Sequence, residues 1–203
     1  TRLACDAWLL PTDRSLTIEQ AWIDQLQTLG VLGANGPEPP QAFEPALRTG
    51  RWLTTAEGTD IWATDVGGSA ATDPAWFVDG AEAFVTAAAR LARDRQPVNK
   101  RALPLLALPV VGTGAGGGAQ AFGQVLEQLL PRLQDLAGSE QVDIVLVTRE
   151  AAAFAAAQEL RSTWPDERWP LDAHDLAEAG RLGELARSGR LVLFLGAGVS
   201  IGA

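Results

Sequence analysis

The sequence contains very little cysteine and histidine: among 203 residues, Cys5 and His174 are the single members of their types. One cysteine cannot form an internal disulfide bond, and one cysteine with one histidine cannot complete a Cys/His zinc site. A chain without disulfides is typical of a reducing compartment, so we predict a cytoplasmic location. His174 lies in an acidic region, where we expect an exposed side chain rather than a member of a nucleophilic site.

Positive charge is also scarce, with 16 Lys and Arg against 25 Asp and Glu and a net charge of −9. A chain of this charge is repelled by phosphate backbones, which argues against nucleic acid as a general partner. The longest apolar runs, 103–111 and 191–195, are far shorter than the roughly 20 residues that span a bilayer. No signal peptide is visible. We therefore predict neither a nucleic-acid nor a membrane partner.

Methionine is absent, and the first residue is Thr1. The last residues, 191–203, have the pattern of a strand followed by a glycine turn that opens a new element. Together these features predict that the chain is a piece of a longer protein. Its length allows one α/β domain of common size and a short extension.

The sequence does contain an alternation of short apolar runs and amphipathic stretches. This alternation predicts an α/β layered domain, because helices that return between strands can cover both faces of a sheet. The spacing predicts strands at 3–10, 51–55, 60–66, 103–111, 142–148 and 191–195. It predicts helices at 17–29, with a capping box formed by Thr17 and Gln20, and at 77–92, 122–133, 151–161 and 175–187. We divide the chain into a domain at 1–162, a linker and helix at 163–190, and the start of a second domain at 191–203.

A glycine-rich segment joins the apolar strand at 103–111 to the helix that begins at 122. Five of the seven residues in 112–118 are glycine. Backbone without Cβ atoms can approach an anion closely, and the following helix N-terminus favours negative charge. The alternative is a tight connection that uses glycine only for positive φ, which requires one or two glycines. We predict phosphate contacts from Gly112, Thr113, Gly114, Ala115, Gly116 and Gly117.

Two polar residues follow the first predicted strand, namely Thr12 and Asp13. Ligands of open α/β sheets collect outside the carboxyl ends of the strands, so both residues could reach a ligand held by the glycine-rich segment. Asp13 could accept hydrogen bonds from ribose hydroxyls. It could equally cap the next helix or form an Asx turn. These two roles of Asp13 stay open at the level of sequence.

Taken in order, the run at 6–16, the strand at 60–66, the segment from Gly112 and the strand at 142–148 resemble a macro domain, the ADP-ribose-binding module. The resemblance implies a three-layer α/β/α fold with a mixed sheet. It also implies that Asp13 stands where the family has an asparagine that orients the distal ribose. Residues 112–117 would wrap the diphosphate, and Arg149 would stand where many members stack an aromatic ring on adenine.

One departure from the macro-domain pattern concerns catalysis. The family follows its first motif strand with a glycine-rich loop that often supports hydrolysis of ADP-ribosyl links, whereas here residues 15–20 lead directly into a predicted helix. Leu10 also replaces the family's first asparagine. The resemblance therefore implies ligand binding more than hydrolysis.

The tail at 191–203 resembles the opening of a SIR2-family domain, with the first strand of its Rossmann-like fold and a Gly-Ala-Gly-x-Ser turn. The residues that match the NAD-binding turn are Gly196, Ala197, Gly198 and Ser200. A Gly-x-Gly alone is weak evidence, and a terminal strand that ends in flexible glycines is the alternative. The resemblance implies NAD as cofactor of the SIR2-like part. In bacteria such domains are often NAD-consuming effectors of antiphage defence joined to nucleotide-sensing modules.

Three functional hypotheses follow. The first is a module that binds ADP-ribose or a related nucleotide signal and regulates a SIR2-like effector. The second is a mono-ADP-ribosyl or O-acetyl-ADP-ribose hydrolase that uses Asp13 to orient a water. The third is a macro-like fold without a ligand that serves as a platform for homo-oligomers.

Overall fold

The computed structural model describes residues 4–28, 48–67, 73–111, 121–148, 150–165, 168–169 and 171–191. Its elements in chain order are β1 (Ala7–Thr12), α1 (Gln20–Thr28), β2 (Thr49–Thr54), β3 (Asp60–Asp65), α2 (Pro74–Ala92), β4 (Leu105–Pro109), α3 (Phe122–Glu140), β5 (Asp143–Val147), α4 (Ala151–Ser162) and α5 (Ala173–Arg187). A 3₁₀ turn, Val98–Lys100, precedes β4. The chain forms two compact units, Thr1–Ala157 and Gln158–Ala203.

The five strands form one mixed sheet in the order β2-β3-β1-β4-β5. The strands β3, β1, β4 and β5 are parallel, and β2 runs antiparallel to β3 at the edge. This arrangement confirms the predicted α/β class and the mixed sheet. The carboxyl ends of β1, β3 and β4 therefore point in the same direction along the strands. We call this end of the sheet the carboxyl edge and the opposite end the amino edge.

Helices cover both faces of this sheet. Ala7 and Leu9 of β1 belong to the main core with α2 and α3, whereas the alternate residues Trp8 and Leu10 pack on the other face with Leu26 of α1. The connection from β1 to β3 and the connection from β3 to β4 cross the sheet in opposite directions. Because such connections are right-handed, their helices α1 and α2 must lie on opposite faces. The main core contains the fully buried Phe77 and Phe84 of α2.

Two predicted element ends are wrong, for identifiable reasons. The first strand begins at Ala7 rather than at residue 3, because the backbone bends at Asp6, where the carboxylate accepts the backbone N–H groups of Val98 (2.8 Å) and Leu105 (2.7 Å). Helix α1 begins at Gln20 rather than after Thr17. The N–H of Thr17 donates to Asp13, and its carbonyl accepts from the hydroxyl of Thr12, so the predicted capping box does not form.

The other predicted strands and helices of the described residues are present, with shifts of a few residues at most of their ends. Helix α3 is the exception, because it continues beyond the predicted end at 133 to Glu140, with Leu136 buried in the extension. The predicted last strand at 191–195 lies almost entirely outside the described residues. In the predicted linker, the indoles of Trp164 and Trp169 contact each other, with ring centroids 6.0 Å apart. None of the helices in the described part of the chain is both long enough and apolar enough to cross a membrane.

Helix α2 approaches the end of β3 closely at Gly80. A Cβ added there would lie 2.8 Å from Cγ1 of Val66 and 3.0 Å from a guanidinium nitrogen of Arg48. We expect Gly80→Ala to lower the free energy of unfolding by about 2 kcal/mol, because a well-packed contact must open. The matched control is Gly123→Ala in α3, where an added Cβ meets nothing within 4 Å. Chemical denaturation should show the control equal to wild type or more stable by up to about 1 kcal/mol, and equal losses in both variants would contradict the close contact.

Candidate functional site

The carboxyl edge brings together the ends of β1 and β3. Thr12 and Asp65 are register partners on these parallel strands, so their side chains leave the sheet on the same face. Both side chains are buried, with exposed fractions of 5% for Thr12 and 2% for Asp65. Buried polar residues at this end of an open α/β sheet are at the position where ligands of such folds collect.

On the other side of β1 the pairing stops early. The ladder between β1 and β4 contains Ala7 and Trp8, whereas the ladder between β1 and β3 continues to Thr12. Proline contributes to this difference, because Pro11 and Pro109 have no N–H to donate. The carboxyl halves of β1 and β4 are thus not joined by ladder pairing. The glycine-rich segment follows β4 directly, after the buried residues Val110 and Val111.

Asp13 organises the turn that follows β1. Its Oδ1 accepts the backbone N–H groups of Ser15 (2.8 Å) and Thr17 (2.9 Å). The turn includes Leu16 at φ 61°, a left-handed conformation. The predicted turn role of Asp13 is therefore confirmed, although helix α1 itself begins later. A carboxylate has about four acceptor positions, so the turn does not by itself preclude a contact with a ligand.

The hydrogen bonds of this turn predict a pH dependence of stability. Partial burial alone would raise the pKa of Asp13, but the bonds from Thr17 and Ser15 outweigh burial and hold the pKa below its ordinary value of 3.8. A carboxyl group with a lowered pKa in the folded state stabilises the protein above its unfolded-state pKa, and this contribution disappears as the pH falls through the folded-state pKa. We expect Asp13→Asn to be less stable than wild type by about 1 kcal/mol at pH 7.

Urea denaturation at several pH values measures this difference. The expected difference between wild type and Asp13→Asn is constant from pH 7 to about pH 5 and shrinks below about pH 4. A difference that stays constant down to pH 2.5 would contradict a charged acceptor in the turn.

Arg48 connects the ends of β2, β3 and α2. Its guanidinium donates to the backbone carbonyl of Asp65 (2.8 Å) and to that of Trp76 (2.7 Å), and it lies 3.6 Å from the ring centroid of Trp76. Burial lowers the pKa of Arg48, and the carboxylates of Asp65 and Asp79 oppose this effect. Arg48 thus joins the backbone at the end of β3 to the first turn of α2.

Asp65 is the least satisfied acid of the described residues at this edge. Its carboxylate accepts the N–H of Gly67, but its Oδ1 has no hydrogen-bond partner among the described residues. Burial raises the pKa of Asp65, and the nearby Arg48 and Arg14 counter this effect only in part. Gly67 also lies against the turn after β1, since a Cβ there would be 3.2 Å from Cβ of Asp13. Thr12, Asp13, Asp65 and Gly67 therefore form one continuous group.

The remaining predicted site residues lie outside the described residues. These are Gly112, Thr113, Gly114, Ala115, Gly116, Gly117 and Arg149, and in the tail Gly196, Ala197, Gly198 and Ser200. Their predicted contacts stay predictions. Sequence reasoning missed Asp65 and Arg48. For Asp65 a signal existed, because it ends a predicted strand just as Thr12 does.

A cavity of about 470 Å³ lies at the opposite, amino edge of the sheet and is lined by Asp6, Asp60, Arg95 and neighbouring residues. The carboxylates of Asp6 and Asp60 in this cavity have hydrogen-bond partners within the protein. The two oxygens of Asp60 accept from Thr54 and Arg95 at 2.5 Å each, and those of Asp6 accept from backbone N–H groups. The basic residues that follow α2 also form ion pairs, Arg93 with Glu140 and Arg101 with Asp143. We interpret this edge as structural.

Within the described ranges, no three His, Cys, Asp or Glu side chains are grouped so that they could hold a metal ion. His174 is exposed, as predicted. No protein-family model matches the chain, and no curated protein is significantly similar to it.

Proposed function

We propose that the domain at 1–162 binds ADP-ribose or a closely related nucleotide signal at the carboxyl edge. The ligand would lie across the end of β1, with its diphosphate on the backbone amides of 112–117 and its distal ribose beside Thr12 and Asp13. Arg149, which follows β5, would stack on the adenine. The proposal combines the resemblance to macro domains with the topology of the sheet.

The observation that carries the proposal is the end of pairing between β1 and β4. The chain leaves β1 toward one face of the sheet and leaves β4 toward the other, which is the arrangement that opens a ligand crevice in α/β sheets. The segment that follows β4 is rich in glycine and precedes the long helix α3. The glycine content of this segment and the helix N-terminus that follows it together favour an anionic ligand.

Hydrolysis is the weaker alternative. A general base needs a pKa near the working pH, whereas the turn holds the pKa of Asp13 below its ordinary value. The turn also fixes the carboxylate on backbone N–H groups. Both features favour a binding role for Asp13 over activation of water.

Isothermal calorimetry of the 203-residue chain with ADP-ribose tests the proposal. We expect saturable heat with one site and a dissociation constant in the micromolar range. Release of ADP-ribose from a modified protein, lost on Asp13→Ala, would instead favour the hydrolase. The absence of heat at high micromolar ligand would overturn the binding proposal and favour the homo-oligomer platform.

We further propose that this binding regulates a SIR2-like, NAD-consuming effector that begins near 191, in a bacterial antiphage system. The support is the Gly196-Ala197-Gly198-x-Ser200 pattern and its position after the sensing domain and the linker at 163–190. NAD cleavage by a protein that contains the complete SIR2-like domain should change by tenfold or more when ADP-ribose is added. Unchanged cleavage at saturating ligand would contradict the regulatory role.

A further inference from the structure

The acid at the end of β3 differs from the other buried acid of the described residues, Asp60, and from the half-buried Asp6. Asp60 has partners on both carboxylate oxygens, and so has Asp6. Asp65 is at least as buried as these residues, but its Oδ1 has no partner in the described part of the chain. A buried carboxylate oxygen without a hydrogen bond destabilises the folded state, so its presence requires an explanation.

The nearby guanidinium of Arg48 acts on Asp65 by charge but does not fill the missing hydrogen bond. The guanidinium of Arg48 donates to backbone carbonyls, including that of Asp65 itself, and its bonds do not reach the Asp65 carboxylate. Arg48 therefore holds the backbone of Asp65 in place and leaves the carboxylate as an acceptor. Asp13, on the turn after β1, adds a second negative charge nearby, which contributes to the raised pKa of Asp65.

Charges of both signs lie on the β3 side of β1. The carboxylates of Asp13 and Asp65 lie there near the cations of Arg14 and Arg48, whereas the sequence from Val110 to Gly118, which follows β4, contains no charged residue. An ionised carboxylate only accepts hydrogen bonds and repels phosphate. The Oδ1 of Asp65, unpartnered among the described residues, is therefore suited to a hydroxyl of a ligand and not to its phosphates.

We propose that Asp65 is a ligand-binding residue whose Oδ1 accepts a hydrogen bond from a hydroxyl of the terminal ribose. The proposal rests on the proposed nucleotide site and adds to it a specific acceptor and an orientation. In this orientation the diphosphate lies on the β4 side of β1 and the terminal ribose lies on the β3 side.

The test compares wild type, Asp65→Asn and the control Asp94→Asn, which changes an exposed acid beyond the end of α2. Each protein is titrated with ADP-ribose and with ADP, which has no terminal ribose, and is melted without ligand. We expect Asp65→Asn to bind ADP-ribose at least tenfold more weakly than wild type and to bind ADP equally. We also expect its melting temperature to equal or exceed that of wild type, because the substitution removes an unsatisfied buried charge.

The outcomes separate this inference from the proposed function. If wild type binds neither compound, the nucleotide site itself is wrong. If wild type binds ADP-ribose and Asp65→Asn binds it with unchanged affinity, the site stands and the role of Asp65 is overturned. Equal weakening toward ADP and ADP-ribose would overturn the assignment to the terminal ribose, and a lowered melting temperature would show a structural role for the carboxylate.

Discussion

Replacing Arg48 by alanine is expected to lower the free energy of unfolding by about 3 kcal/mol, through loss of hydrogen bonds from a charged donor and of a cation–π contact. The variant leaves the carbonyls of Asp65 and Trp76 without this donor in a partly buried position. It also removes the guanidinium from the face of the Trp76 ring. The loss should weaken ligand binding as well, because the end of β3 is no longer fixed.

Two controls define the cause of this effect. Arg48→Lys keeps the positive charge but lacks the planar guanidinium that stacks on Trp76 and donates to two carbonyls. We therefore expect Arg48→Lys to retain less than half of the free energy of unfolding that Arg48→Ala loses. Arg51→Ala removes an arginine whose side chain is 47% exposed and 3.9 Å from Asp60. It should change stability by less than about 0.5 kcal/mol. Guanidinium chloride denaturation measures all three variants, and equal losses for Arg48→Ala and Arg51→Ala would contradict the role of Arg48.

Replacing Gly114 by glutamate is expected to weaken ADP-ribose binding by at least about a hundredfold. If the amides of 112–117 bind the diphosphate, the new carboxylate lies against a like charge in a site where water is partly excluded. Stability should change little. Calorimetry with ADP-ribose measures the loss, and the melting temperature shows that the variant is folded.

The matched control for Gly114→Glu is Gly138→Glu in α3. Gly138 is exposed, and an added Cβ meets nothing within 4 Å. This control adds the same charge to the chain, so any general effect of charge on an anionic ligand appears in both variants. If both variants bind ADP-ribose like wild type, the diphosphate does not lie on the glycine-rich segment.

Periodicity in the sequence predicted the class of the fold because it reports directly on burial. The helical spacing of Phe77, Phe84 and Val85 and the apolar run at 103–111 both correspond to buried residues of the sheet and its covering helices. The order of the strands could not be predicted in this way, since it depends on which strands pair and not on the pattern within each.

The partners of hydrogen bonds between side chains and the backbone, both local and long-range, could not be predicted from the sequence. Thr17 and Gln20 have the spacing of a capping box, but Asp13 and Thr12 bind the backbone of Thr17 first. Arg48 bonds to carbonyls 17 and 28 residues away, and any residue type could supply them. Thr12 and Asp13 could be placed at the carboxyl edge because their position follows from the end of a single predicted strand. That Oδ1 of Asp65 has no hydrogen-bond partner within the described ranges could not be predicted, because it depends on which other elements pack around it.

A crystal structure of the chain with ADP-ribose tests the central claim most directly. The account predicts the diphosphate within hydrogen-bond distance of backbone amides in 112–117 and the terminal ribose beside Asp13 and Asp65. Ligand density elsewhere, for example in the cavity at the amino edge, or a carboxyl edge that stays without ligand at saturating concentration, would contradict it.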